Sequence, residues 1–144
     1  MKSYINILLL FIGLYVSVIK VSYTKEISAE TQSKIELYKY RIANDNSTAY
    51  FFLGRMYEFG DGVKIDYNTA FEFYKSGADL GDLESQGRLG YMYQNGKGVK
   101  KDINKALELY KSASDKGYAV AKAQLGYMYQ NGQGVKKDFN KAFE

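Results

Sequence analysis

Any chemistry in this chain has to come from carboxylates, lysines, tyrosines and hydroxyls, because its 144 residues include neither histidine nor cysteine. The commonest zinc and transition-metal ligands are therefore missing. So are Ser-His-Asp triads, Cys-His dyads and the usual proton shuttle near neutral pH. No disulfide can form. Two patterns remain that resemble reactive ones. Gly60-x-Gly62, Gly96-x-Gly98 and Gly132-x-Gly134 could cradle a phosphate, but none carries the lysine of GxxxxGK[ST], and each reads as a tight turn. Asp66, Asp102 and Asp138 could hold a metal or move a proton, but each stands where a helix N-cap accepts hydrogen bonds from free amides. No catalytic, cofactor-binding or metal-ligating residue is assigned, and no cofactor is expected.

The spacing of these residues points to the elements that carry them. Leu53-Gly54 recurs at 89 and 125, an interval of 36, and Tyr57, Tyr93 and Tyr129 keep it. Val63, Val99 and Val135 follow the glycines, and Ala70, Ala106 and Ala142 follow the aspartates. Such a period marks stacked supersecondary units. Ala49, Phe52, Leu53, Met56 and Tyr57 form one apolar face at helical spacing, as do Ala106, Leu109, Tyr110 and Ala113 in a second helix. Gly81 and Gly117 fit the left-handed glycine that closes that second helix. The glycine of Leu-Gly lets a neighbouring helix approach closely, at about 1 kcal/mol in helix propensity. Counting back from Tyr110 and Tyr74 reaches Tyr38, so residues 25–46 read as a half-repeat capping helix. Units then span 47–82, 83–118 and 119–144, the last incomplete. The expected fold is all-α, an α-solenoid of stacked antiparallel hairpins. Each hairpin is stabilised by stacking on the next.

Charge and hydropathy narrow the setting. The net charge is +4, but Lys2, Lys20 and Lys25 lie in the acid-free first 25 residues, and the rest is nearly balanced. Nucleic-acid binding, which needs clustered cations, is not expected. Lys2 precedes an apolar run from Tyr4 to Ile19, the pattern of a secretory signal. Residues 1–24 read either as a cleaved signal peptide or as an N-terminal membrane anchor held by residues 4–19. Either way the remainder is expected to be exported, to a periplasm, an extracellular space or an endoplasmic-reticulum lumen, or tethered to a membrane.

The repeating tyrosines at 38, 74 and 110 and at 57, 93 and 129 read as core, with hydroxyls reaching a partner at the rim. Glu72/Lys75 and Glu108/Lys111 read as i,i+3 pairs on a wet face. Binding is better sought where otherwise matching units differ. On the first helices that set is Phe51, Gly87 and Ala123, then Arg55, Tyr91 and Tyr127, then Glu58, Gln94 and Gln130. Arg55, Glu58, Tyr91, Gln94, Tyr127 and Gln130 are the partner-binding candidates. Tyr91 and Tyr127 lead, because aromatic and arginine residues are enriched at binding hot spots.

The unit Ala-x-x-x-Leu-Gly-x-x-Tyr-x-x-Gly-x-Gly-Val-x-x-Asp-x-x-x-Ala-x-x-x-Tyr resembles the Sel-one-like repeat family, relatives of tetratricopeptide repeats. Residues 119–135 are close to what that family shows, and the resemblance covers about 27–144. It departs at Thr69, where lysine is usual, and at Gly77 and Ser85, where alanine is usual. The resemblance implies a right-handed superhelix, used as an adaptor that binds a protein or extended peptide on its concave surface. Members serve in endoplasmic-reticulum quality control, bacterial signalling and envelope biology, and host interaction. A cysteine-rich subgroup is described as binding or hydrolysing β-lactams, and the absence of cysteine here removes that subgroup's defining disulfides. The chain is therefore expected not to be an enzyme. The alternatives are a hydrolase of that subgroup and the N-terminal part of a longer repeat protein.

Overall fold

The computed structural model describes residues 27–142, and among these five helices begin at a side chain that accepts a hydrogen bond from a free backbone amide. Ser28 caps α1 (Ala29–Ala43) through Thr31 N–H. Asp66 caps α3 (Tyr67–Asp79) through Asn68 and Thr69, and Asp102 caps α5 (Ile103–Asp115) through Lys105. Asp82 caps α4 (Leu83–Asn95) through Ser85 N–H. Asp138 caps the short α7 (Phe139–Ala142) through Asn140 and Lys141. The hydroxyl and amide of Thr69 hold the Asp66 carboxyl below its usual range. The three repeating aspartates are thus caps, spaced one unit apart. The two other helices, α2 (Thr48–Phe59) and α6 (Ala119–Asn131), start without a side-chain cap.

Helix ends are equally regular. α2, α4 and α6 stop at Gly60, Gly96 and Gly132, all left-handed. α3 and α5 end in Schellman geometry. Asp82 N–H donates to Gly77 O and Gly81 N–H to Ala78 O, and Tyr118 and Gly117 repeat this on Ala113 and Ser114. The loop inside each hairpin is pinned by the capping aspartate's own amide, which donates to the first helix's tyrosine carbonyl. The pairs are Asp66 to Tyr57 at 2.9 Å, Asp102 to Tyr93 at 2.9 Å and Asp138 to Tyr129 at 3.1 Å.

Among the described residues the chain is an all-α run of seven helices, each packed on the next, with α2 also touching α4. The buried clusters run through each hairpin and on into the next unit. Ala70, Phe71 and Tyr74 of α3 cluster with Leu89 and Met92 of α4. Ala106, Leu107, Tyr110 and Ala113 of α5 cluster with Ala121 and Met128 of α6. Ile35 of α1 does the same with Leu53 and Met56 of α2. A hairpin alone would expose these surfaces, so the stack is the stable object. The reading of residues 1–24 as signal or anchor lies outside the described residues. No described helix is long and apolar enough to cross a membrane.

Two expectations are corrected. The tyrosine hydroxyls at 74 and 110 do reach partners, but inside the stack and not at the rim: both side chains are fully buried and bond to groups on the preceding helix. The Glu72/Lys75 and Glu108/Lys111 pairs do not close. The ion pairs among the described residues are Lys34–Glu30, Lys39–Glu36 and Arg88–Glu58.

The unusual Gly77 and Ser85 explain each other. A Cβ on Gly77 would overlap Ser85 Oγ and lie 2.8 Å from Ser85 Cβ. The next unit puts Ala113 and Ala121 at the same two places. Ser85 Oγ is buried with no hydrogen-bond partner. Gly77→Ala alone is expected to destabilise the chain. Gly77→Ala with Ser85→Ala is expected to exceed the single variant by about 1–3 kcal/mol, since it removes the overlap with Oγ and the unpaired hydroxyl and leaves only the approach of the two Cβ atoms. Urea midpoints of the two variants and their parent measure this coupling.

Candidate functional site

The packing of one tyrosine per unit decides which side chains of α2, α4 and α6 remain open. A Cβ on Gly54 would lie 2.6 Å from Tyr74 Cε1, and one on Gly90 would lie 2.9 Å from Tyr110 Cε1. Leu-Gly therefore seats the ring of the same unit's second helix directly on the first helix. That seating carries the hydroxyl to the residue four positions further along. Tyr74 OH donates to Glu58 Oε2 at 2.7 Å, and Tyr110 OH donates to Gln94 Oε1 at 3.1 Å. Burial, and for Tyr74 also the Glu58 carboxylate, pushes both phenols well above their ordinary range.

Glu58 is accordingly closed off from the surface, and Gln94 only borders the cleft beside it. Both are buried, at 3% and 9% exposure, because a tyrosine sixteen residues later needs an acceptor there. Gln94 also donates from Nε2 to Gln133 Oε1 at 2.8 Å, tying α4 to the loop after α6. Gly87 is covered as well, since a Cβ there would lie 2.7 Å from Tyr118 Cε1. Gln130, the equivalent of Glu58 and Gln94, is exposed.

The remaining candidates fall into two neighbouring groups. Tyr91 and Tyr127 line one cleft of about 230 Å³ together with Gln94, Gln124 and Gln133. Tyr127 is half exposed, and Tyr91 is partly covered by Lys97, whose Nζ lies 5.1 Å from its ring centroid and equally far from that of Tyr67. Arg55 belongs to the second group, on α2. Its Cζ lies 5.7 Å from the centroid of the Phe51 ring and 5.9 Å from that of Phe59, and Arg88 Cζ of α4 lies 5.4 Å from the Phe59 centroid.

Arg88, Phe59, Lys97 and Gln133 are site residues that the sequence reading missed. A signal existed for each: position 88 is Phe52 and Gln124 in the other units, Phe59 is matched by Asn95 and Asn131, and Lys97 is replaced by Gln133 one unit on. Among the described residues there is no group of three acidic side chains able to hold a metal ion. The arrangement offers aromatic surface, guanidinium groups and amides, which suits recognition of a polypeptide.

Comparison with known proteins agrees with this architecture. The Sel1 repeat model matches residues 47–82, 83–118 and 119–144. A Sel1 repeat protein from Oxalobacter formigenes is similar in structure, with a TM-score of 0.69 and 37% identity, over 75% of this chain and 44% of that one. A protective antigen present in uropathogenic Escherichia coli strains, displaying an SLR fold, has a TM-score of 0.70 and 31% identity, over 74% of this chain and 23% of its own. This chain thus spans less than half the length of either. No curated protein matches it. With three successive units matched across more than half its length, the chain belongs to the Sel1 repeat family.

Proposed function

We propose that this protein is a binding scaffold that holds a protein or an extended peptide against the side formed by α2, α4 and α6. One observation carries the reading. Positions that repeat between units are consumed by the core, while neighbouring positions that differ keep Arg55, Tyr91 and Tyr127 at the surface. A repeat architecture of this family, with its extended stacked surface, supports the same use. No catalysis is part of this reading, and hydrolysis of a chromogenic β-lactam by residues 25–144 is expected to be undetectable. We propose further that the protein is exported or tethered to a membrane through residues 4–19, and that it belongs to a longer repeat array. Fractionation of cells and the gene past codon 144 test them.

The direct test is a cross-linked pull-down with residues 25–144, beside a Tyr91→Ala/Tyr127→Ala variant whose helical circular dichroism is unchanged. A partner captured by the parent and lost by the variant supports the scaffold and places its surface. A partner captured equally by both moves the binding surface elsewhere.

A further inference from the structure

The first unit carries a group of side chains that the other units lack. Phe51, Arg55 and Phe59 stand four residues apart on α2, so they lie in a row along one side of the helix. The Arg55 guanidinium sits against both rings, and Arg88 reaches from α4 to Phe59, making a continuous series Phe51–Arg55–Phe59–Arg88 across two units. At the places of Arg55 and Phe59 the second unit has Tyr91 and Asn95, and the third has Tyr127 and Asn131. Those units fold without the series, so packing of the repeat does not require it.

From this geometry we propose that Arg55, Phe59 and Arg88 recognise an acidic segment of the partner, with its carboxylates on the two guanidinium groups and Phe59 as the platform between them. The proposal rests on the scaffold reading and names the chemistry of its ligand. Phe59 is 54% exposed, an unusual place for a phenylalanine that already contacts two cations. Arg55 has no carboxylate within 4.0 Å among the described residues, although Asp61 lines the same small cleft. Lys34, also in that cleft, is paired with Glu30 at 3.0 Å. Arg88 meets Glu58 at 3.9 Å, through one nitrogen, while Glu58 takes its short bond from Tyr74. Both guanidinium groups therefore retain donors. Lying over the rings, they are steered into place before a ligand arrives, and a planar fork matches a carboxylate through two bonds.

The test measures fluorescence anisotropy of labelled octaglutamate and octalysine peptides with residues 25–144 at physiological salt. Octaglutamate is expected to bind and octalysine is not. Arg55→Lys/Arg88→Lys keeps the charge but removes the fork, and is expected to weaken octaglutamate by about tenfold or more. Phe59→Ala is expected to weaken it as well. Lys122→Gln/Lys136→Gln removes two exposed charges elsewhere and is expected to leave it within about twofold, since it spares the fork. Octaglutamate that fails to bind, that ignores the Arg→Lys exchange, or that weakens equally in the lysine control would overturn the proposal. A natural partner lost with Tyr91→Ala/Tyr127→Ala but indifferent to Arg55→Lys/Arg88→Lys would overturn it while leaving the scaffold reading intact.

Discussion

Gly98→Ala is expected to be among the most damaging single-methyl changes this protein can suffer. Gly98 sits at φ +65°, where an added Cβ would overlap the carbonyl group of Tyr67 and lie 3.0 Å from Asn68 N. Those are backbone atoms at the start of α3 in the preceding unit, and they cannot turn aside as a side chain can. The loop of one unit is thus pressed against the neighbouring unit, and the contact disappears if the stack opens. Gly81 provides the control, because it has φ +87° and nothing within 4 Å of its would-be Cβ. Gly81→Ala should cost only the left-handed backbone term, about 1–2 kcal/mol. Gly98→Ala should exceed that by a clear margin. Paired urea melts of the two variants check it, and equal midpoints would contradict the close approach between units.

Tyr74→Ala is expected to cost about 3–5 kcal/mol, as truncation of a fully buried aromatic ring does. The ring fills the space above Gly54, which has no side chain to close the gap. Tyr74→Phe separates ring from hydroxyl. It leaves the buried Glu58 carboxylate without its shortest donor, at a cost of about 1–3 kcal/mol. The same pair makes a pH prediction. The Tyr74 phenol is raised in the folded chain, chiefly by burial and then by Glu58. Its stabilising contribution is therefore complete below its unfolded value of about 10 and is lost as pH rises beyond that. Tyr74→Phe should flatten the alkaline loss of stability, while Tyr110, similarly raised, keeps part of it.

Much of this architecture was legible in residue spacing. An interval of 36 is enough to locate the hairpins, the aspartate caps and the glycines at 81 and 117, because each is a local device whose geometry a few neighbouring residues decide. The close approach at Leu-Gly was also legible. What spacing cannot convey is the direction in which a large side chain lies once two helices meet. Tyr74 could have aimed its hydroxyl at solvent, but seated on Gly54 it aims at Glu58. That orientation, repeated by Tyr110 over Gln94, makes Glu58 and Gln94 buried acceptors. Gly87 is lost to the surface in the same way, under Tyr118 from beyond the end of α5. Arg88 was missed because it lies one residue from Gly87, about 100° around the helix from the chosen stripe. It joins Phe59 only through the packing of α4 beside α2.

The central claim is that partners bind on the side carrying Tyr127 and not on the second helices. A photoreactive benzoylphenylalanine placed at Tyr127 on α6, and separately at the exposed Glu108 on α5, tests that directly. A covalent adduct with the captured partner is expected from position 127 and none from position 108. An adduct from position 108 alone would contradict it and move the binding surface to the opposite side of the stack.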